Sequence, residues 1–120
     1  MPHVIMEYSG NAGEWGDQDT ITKAVHDALC SLEHLPTEAI KTRAVQHDHF
    51  YIGRDVEGRK GFVTVLIRTR PGHEDHVLLE MSETARAAVL AHVTPVSGKM
   101  LSVSIEVQMM NPVAVLHAKI

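Results

Sequence analysis

Position two of the chain is a proline, directly after Met1. An initiator methionine before a small residue is generally removed, and proline counts as small. The mature chain then opens with a secondary amine at Pro2, whereas every other backbone nitrogen is an amide. An α-amine titrates near ~8, and desolvation or a neighbouring cation lowers it toward neutrality. A base poised near the working pH is what proton abstraction beside a carbonyl requires. Proline after an initiator is also a common accident, so Pro2 gains weight only if the chain holds it in place. The next residues do so. Val4, Met6 and Tyr8 alternate with His3, Ile5 and Glu7, the period of a β-strand. The candidate base therefore sits at the first position of a strand rather than on a frayed end.

The remaining elements can be read in order. Asp17 or Asp19 is placed to cap a helix whose apolar stripe is Ile21, Ala24, Val25, Ala28, Leu29 and Leu32, with Pro36 just past its end. Ala39–Ile52 reads as a strand with Ile40, Thr42 and Ala44 on one face and Lys41, Arg43, Val45, His47, His49 and Tyr51 on the other. The charged, glycine-bearing stretch 53–61 reads as a loop. Phe62–Thr69 is a third strand, rich in Val, Ile and Leu and broken by Pro71-Gly72. A helix over about His73–His92 carries the stripe Val77, Met81, Ala85, Ala88 and Val89. Leu101 to Met109 alternates apolar and polar residues throughout, and Asn111-Pro112 ends it.

The order strand, helix, strand thus occurs twice, at an offset of roughly 60 residues. This predicts one α+β domain over 1–120: a two-layer sandwich of two consecutive β-α-β units, about 2–52 and 61–110, with a C-terminal arm at 111–120. The four-stranded sheet carries both helices on one face. The uncovered face predicts self-association. A ferredoxin-like β-α-β-β-α-β has the same element order, and order alone does not separate the two.

Composition narrows the function. The chain has 120 residues and a formal net charge of -4, with no basic tract or aromatic ladder, so nucleic acid is not an expected partner. No apolar run reaches membrane-spanning length, and no basic-then-apolar leader is present. The single cysteine, Cys30, cannot form an internal disulfide and reads as a small core residue. A cytoplasmic location is expected. Nine histidines raise the question of a metal. His47 and His49 share a strand face and His73 and His76 a helix face, but no metal motif links them, and no metal site is expected.

The residues resemble the 5-carboxymethyl-2-hydroxymuconate isomerase family of the tautomerase superfamily, from Pro2 to about Pro112. The carriers are the opening Pro2-His3-Val4-Ile5-Met6-Glu7, the segment from Leu35-Pro36 through Ala39-Ile40-Lys41-Thr42-Arg43, Phe62-Val63-Thr64-Val65, the Pro71-Gly72 turn, and Leu101-Ser102-Val103-Ser104-Ile105-Glu106. The resemblance implies a homotrimer, an amino-terminal proline as acid/base, no cofactor, and arginines that hold the carboxylates of a small enol substrate. Arg43 falls on one such arginine. The family's second arginine follows a glycine after the third strand, where this chain has His73 after Gly72. Histidine cannot make the bidentate fork that arginine makes with a carboxylate. Arg68 and Arg70, just upstream, are placed to supply the charge.

For Arg43 the competing reading is a surface or interface ion pair, and for Arg68 and Arg70 a solvated strand end. His3 reads as positional, and Glu106 as solvated surface or an intersubunit partner. Two further functions compete with the isomerase. One is a noncatalytic or diverged small-ligand-binding oligomer on the same fold, and the other is a ferredoxin-like dimer with a histidine-lined cavity.

Overall fold

The computed structural model describes residues 1–120. Its strands are β1 (His3–Ser9), β2 (Lys41–His47), β3 (Lys60–Thr69) and β4 (Met100–Met109), and its helices α1 (Gln18–Cys30) and α2 (Asp75–Leu90). The sheet order is β2-β1-β3-β4. β1 runs parallel to β2 and β3 parallel to β4, while β1 and β3 are antiparallel at the centre. Each β-α-β unit keeps its two strands adjacent. A ferredoxin-like sheet splits its β-α-β units by another strand, so the topology selects the doubled unit over that alternative.

Alternation along the strands decides which face is covered. Val4 and Met6 of β1 and Val63, Val65 and Ile67 of β3 point toward the helices and are buried. They meet Ile21, Val25 and Leu29 of α1, and Val77, Met81, Ala85 and Val89 of α2, all buried. Burying side chains of this kind contributes about 1.5–3 kcal/mol each. On the edge strand β4, Leu101, Val103, Ile105 and Val107 pack against the same core but stay half-buried. The other sheet face carries no layer. There Ile5, Phe62 and Leu66 form a half-buried apolar band, and β4 presents exposed Ser102, Ser104, Glu106 and Gln108.

Local chemistry fixes the ends. Asp17 caps α1, its carboxylate accepting from the Thr20 amide at 2.9 Å. His26 Nδ1 lies 2.6 Å from Thr42 Oγ1, tying α1 to β2. Gly72 has φ of 97°, a conformation that the second central residue of a type II turn needs and that glycine adopts without strain. With the turn in place, α2 begins at Asp75 and ends at Leu90, inside the expected 73–92.

One expected element is cut at both ends. The alternation over Ala39–Ile52 is real, but β2 is only Lys41–His47. Residues Thr37–Ala39 form a 3₁₀ turn. At the far end the partner strand stops: β1 closes at Ser9, and the Gly10 amide donates to the His47 carbonyl at 2.8 Å. Tyr51, beyond it, is 98% exposed. A strand needs a neighbour for its backbone groups, and none is left.

Gly16 lies in the loop before α1. A Cβ there would stand 2.4 Å from the His92 carbonyl oxygen, whereas one on Gly13 would meet nothing within 4 Å. Gly16→Ala is expected to cost about 1–3 kcal/mol by urea denaturation, and Gly13→Ala to stay within about 0.5 kcal/mol of the parent.

Candidate functional site

The start of β1 lies in the middle of the sheet, because β1 is flanked by β2 and β3. Pro2 continues the alternation of Val4 and Met6, so its ring is fully buried. Its carbonyl accepts from the Lys41 amide at 3.1 Å, and the amine of Met1 donates to the Ala39 carbonyl at 3.1 Å. The start of the chain is therefore pinned by β2.

Register then gathers positive charge here. In the parallel pairing His3 stands beside Lys41 and Ile5 beside Arg43. In the antiparallel pairing His3 stands beside Arg68. Arg70 leaves the end of β3 and, with Met1, Pro71, Val115 and His117, lines a cleft of about 370 Å³. None of Lys41, Arg43, Arg68, Arg70 and Lys119 has a carboxylate within ion-pair distance; the ion pairs of the chain lie elsewhere.

The cations act on the two bases among them. Burial first, then Lys41, Arg70 and Lys119, hold the terminal amine below its ordinary value. Burial first, then Arg43, Lys41, the terminal amine and Arg68, hold His3 down as well. Arg43 Nη1 lies 3.0 Å from His3 Nδ1. A guanidinium only donates, so Nδ1 accepts and the imidazole is neutral, with its proton on Nε2. Arg43 thus touches His3, one residue from Pro2.

The other sequence candidates can be placed too. His73 is half-buried in the turn before α2; it lines no wall of this cleft and has no polar partner in the chain. Arg70, two residues before Gly72, reaches the cleft. His47 pairs with Glu7 at 3.4 Å, and no three His, Cys, Asp or Glu side chains converge as metal ligands. Cys30 Sγ is 3.5 Å from His26 Nε2, but burial, with Asp27 and Glu38, pushes the thiol up, which favours the unreactive form. A larger cleft of about 600 Å³ lies at the far end of β1, between Tyr8 and Trp15. Glu14, Asp17 and Asp19 line it, which suits no carboxylate ligand. Sequence reasoning passed over Lys41, Val115, His117 and Lys119. Lys41 could be found from the β1–β2 register, whereas nothing in a coil-like tail announces that it folds back.

Comparisons with known proteins bear on family and fold. The family described as CHMI: 5-carboxymethyl-2-hydroxymuconate isomerase matches residues 2–119. Comparison with curated proteins returns no match. Among solved structures, a 5-carboxymethyl-2-hydroxymuconate delta-isomerase is similar at 21% identity and a TM-score of 0.86, covering 100% of this chain and 88% of that one. A 5-carboxymethyl-2-hydroxymuconate isomerase from Deinococcus radiodurans R1 is similar at 18% identity and a TM-score of 0.83, covering 98% and 88%. A protein described as a Q0 fused 4-OT wild type symmetric trimer follows at 13% identity and a TM-score of 0.58, covering 90% and 85%. Likeness at these identities is a likeness of fold.

Removing the Arg43 charge relieves His3. Arg43→Ala is expected to move the His3 titration midpoint upward, toward the ordinary value near ~6.5, with burial still holding it partly down. A histidine-resolved NMR pH titration reads this directly; an unmoved His3 midpoint would refute the contact.

Proposed function

The chain belongs to the 5-carboxymethyl-2-hydroxymuconate isomerase family, and from that premise we propose that it is a cofactor-free isomerase. Its substrate class is a 2-hydroxymuconate-type dienol carboxylate. Its acid/base is the amine of Pro2, freed when Met1 is removed. The observation that carries the proposal is the cluster of cations without carboxylate partners around the first residues of β1.

The chemistry is a proton moved along a conjugated chain. The neutral amine takes the enol proton and becomes an ammonium. Electrons shift from the oxygen through the conjugated system, and the ammonium returns a proton to a distant carbon. One proton leaves and one arrives, with no change of oxidation state, so no cofactor is needed. The burial and cations that lower the Met1 amine lie around the same place and would lower the Pro2 amine in the same direction once Met1 is removed. Arg70 and Lys41 are placed to hold carboxylates, and Arg43 favours charge building on the enolate oxygen, directly or through the Nε2–H of His3. General acid–base catalysis of this kind contributes about 10²–10⁴-fold.

The open sheet face fits assembly as a homotrimer, with a mass three times the 13.2 kDa of one chain. No helix is long and apolar enough to cross a membrane, and action in the reducing cytoplasm suits a chain with one cysteine. The second reading is a noncatalytic or diverged ligand-binding oligomer. The placement of His73 outside the cleft favours it, because the family's second arginine is missing from that turn.

Ultraviolet-monitored ketonisation of 2-hydroxymuconate and its 5-carboxymethyl derivative tests the proposal, with intact mass showing that Met1 is absent. Saturable turnover is expected, with Pro2→Ala lowering kcat by about 10²–10⁴-fold. Absence of turnover from correctly processed protein would favour the binding reading. The pH profile gives a second test. In the parent, kcat/KM rises through an acidic limb below the ordinary α-amine value of ~8. Arg70→Ala removes a cation, so the ammonium is less disfavoured and the limb moves to higher pH.

A further inference from the structure

The chain beyond β4 has a direction set by two anchors. The Met110 amide donates to the Thr69 carbonyl at 2.8 Å, and Met110 is buried. Asn111 Oδ1 then accepts from the amides of Val113 and Ala114, at 2.8 and 2.9 Å. This turn sends the chain back over the end of β3, where Arg70 lies.

Val115 and His117 line the cleft with Met1 and Arg70. Lys119, two residues on, is close enough to depress both the terminal amine and His117. Leu116 points away and is 93% exposed. His117 reaches the cleft from an exposed position, and Lys119, also exposed, lies beyond it. Desolvation first, then the terminal amine, Lys41, Lys119 and Arg70, hold His117 below its ordinary value, and its ring N–H can donate a hydrogen bond.

We propose that this arm is the outer wall of the substrate site and binds the carboxylate of the substrate remote from the reacting end, with Lys119 as its cation and His117 as its hydrogen-bond donor. The arm then supplies the charge that the turn after Gly72 lacks, since His73 stands in that turn and outside the cleft. The inference rests on the isomerase reading for the identity of the ligand, a small polycarboxylate. These are binding residues, and Pro2 keeps the proton chemistry.

The test pairs kinetics with binding. The double variant His117→Ala/Lys119→Gln and a chain ending at Pro112 are compared with the parent and with Lys23→Gln, whose lysine pairs with Asp27 on α1. The readouts are KM and kcat for 2-hydroxymuconate, and calorimetric Kd for cis,cis-muconate, which lacks the enol. The expected result is a rise of about tenfold in both KM and Kd for the double variant and the shortened chain. The kcat stays within about twofold, because the interaction is equal in ground and transition states. His117→Gln, which keeps a donor, recovers part of the loss. Thermal melting of the double variant guards against unfolding, since that variant retains the arm. Unchanged KM and Kd in the double variant, beside normal turnover by the parent, overturn the wall and leave the isomerase reading intact. Muconate binding by a parent without turnover, lost in the double variant, keeps the wall and removes the isomerase reading. A parent that neither turns over nor binds overturns both.

Discussion

The antiparallel pairing of β1 with β3 is the constraint on which the rest of the molecule hangs. It joins the two β-α-β units into one sheet and sets both helices on one side of it. It also brings the end of β3 to the start of β1, so that Arg68 stands beside His3 and Arg70 reaches the cleft by Met1. A parallel pairing would send those arginines to the opposite end of the sheet. The register matters as much as the direction. A slip of one residue would turn Pro2, Val4 and Met6 out of the core and His3 into it. The fully buried Val4 and Met6 hold the register, so the placement of the site follows from the packing of the core.

The charge distribution is the second consequence. The chain as a whole is acidic, with a net charge of -4, yet the start of β1 is ringed by cations. Acidic residues gather at the other end, where Glu14, Asp17 and Asp19 line the larger cleft. Cations clustered without counter-charges repel one another, and each depresses its neighbours' bases, as His3, His117 and the terminal amine all show. That repulsion lowers stability unless an anion enters. A carboxylate ligand would relieve it, so a cost to the empty fold would be offset by binding the proposed class of ligand.

Much of this was legible in the sequence. The period-2 pattern of Leu101–Met109 and the 3.6-period stripes of both helices gave the elements, because burial on one face enforces those periods. Two things escaped. Alternation at Val45, His47, His49 and Tyr51 continued past the end of β2, because a sequence pattern records which faces suit a strand but not where the neighbouring strand stops. Of the site candidates, Pro2, Arg43 and Arg70 sit at one end of the sheet, while His73, which the resemblance sets in the turn after Gly72, lies outside the cleft. Where the arm packs had no local signal, since its fold-back depends on the Asn111 turn and on Met110 finding β3.

A proline at this position also answers a structural demand. An interior strand ordinarily needs each backbone amide for its ladder, and proline is tolerated at the first residue, where no donor is required. Pro2 meets that condition: it contributes its carbonyl to Lys41 and owes no N–H to either neighbour. Its ring is buried with Val4 and Met6, so the nitrogen is held by packing on one side and by β2 on the other. An acyclic residue would present a primary amine free to rotate about its own N–Cα bond, and fixing it would cost entropy. The ring removes that freedom before any ligand arrives. A residue that suits the first position of a central strand is thus also one that would present a pre-oriented amine once Met1 is gone, which is why the foundation of the sheet and the proposed base fall on the same atom group.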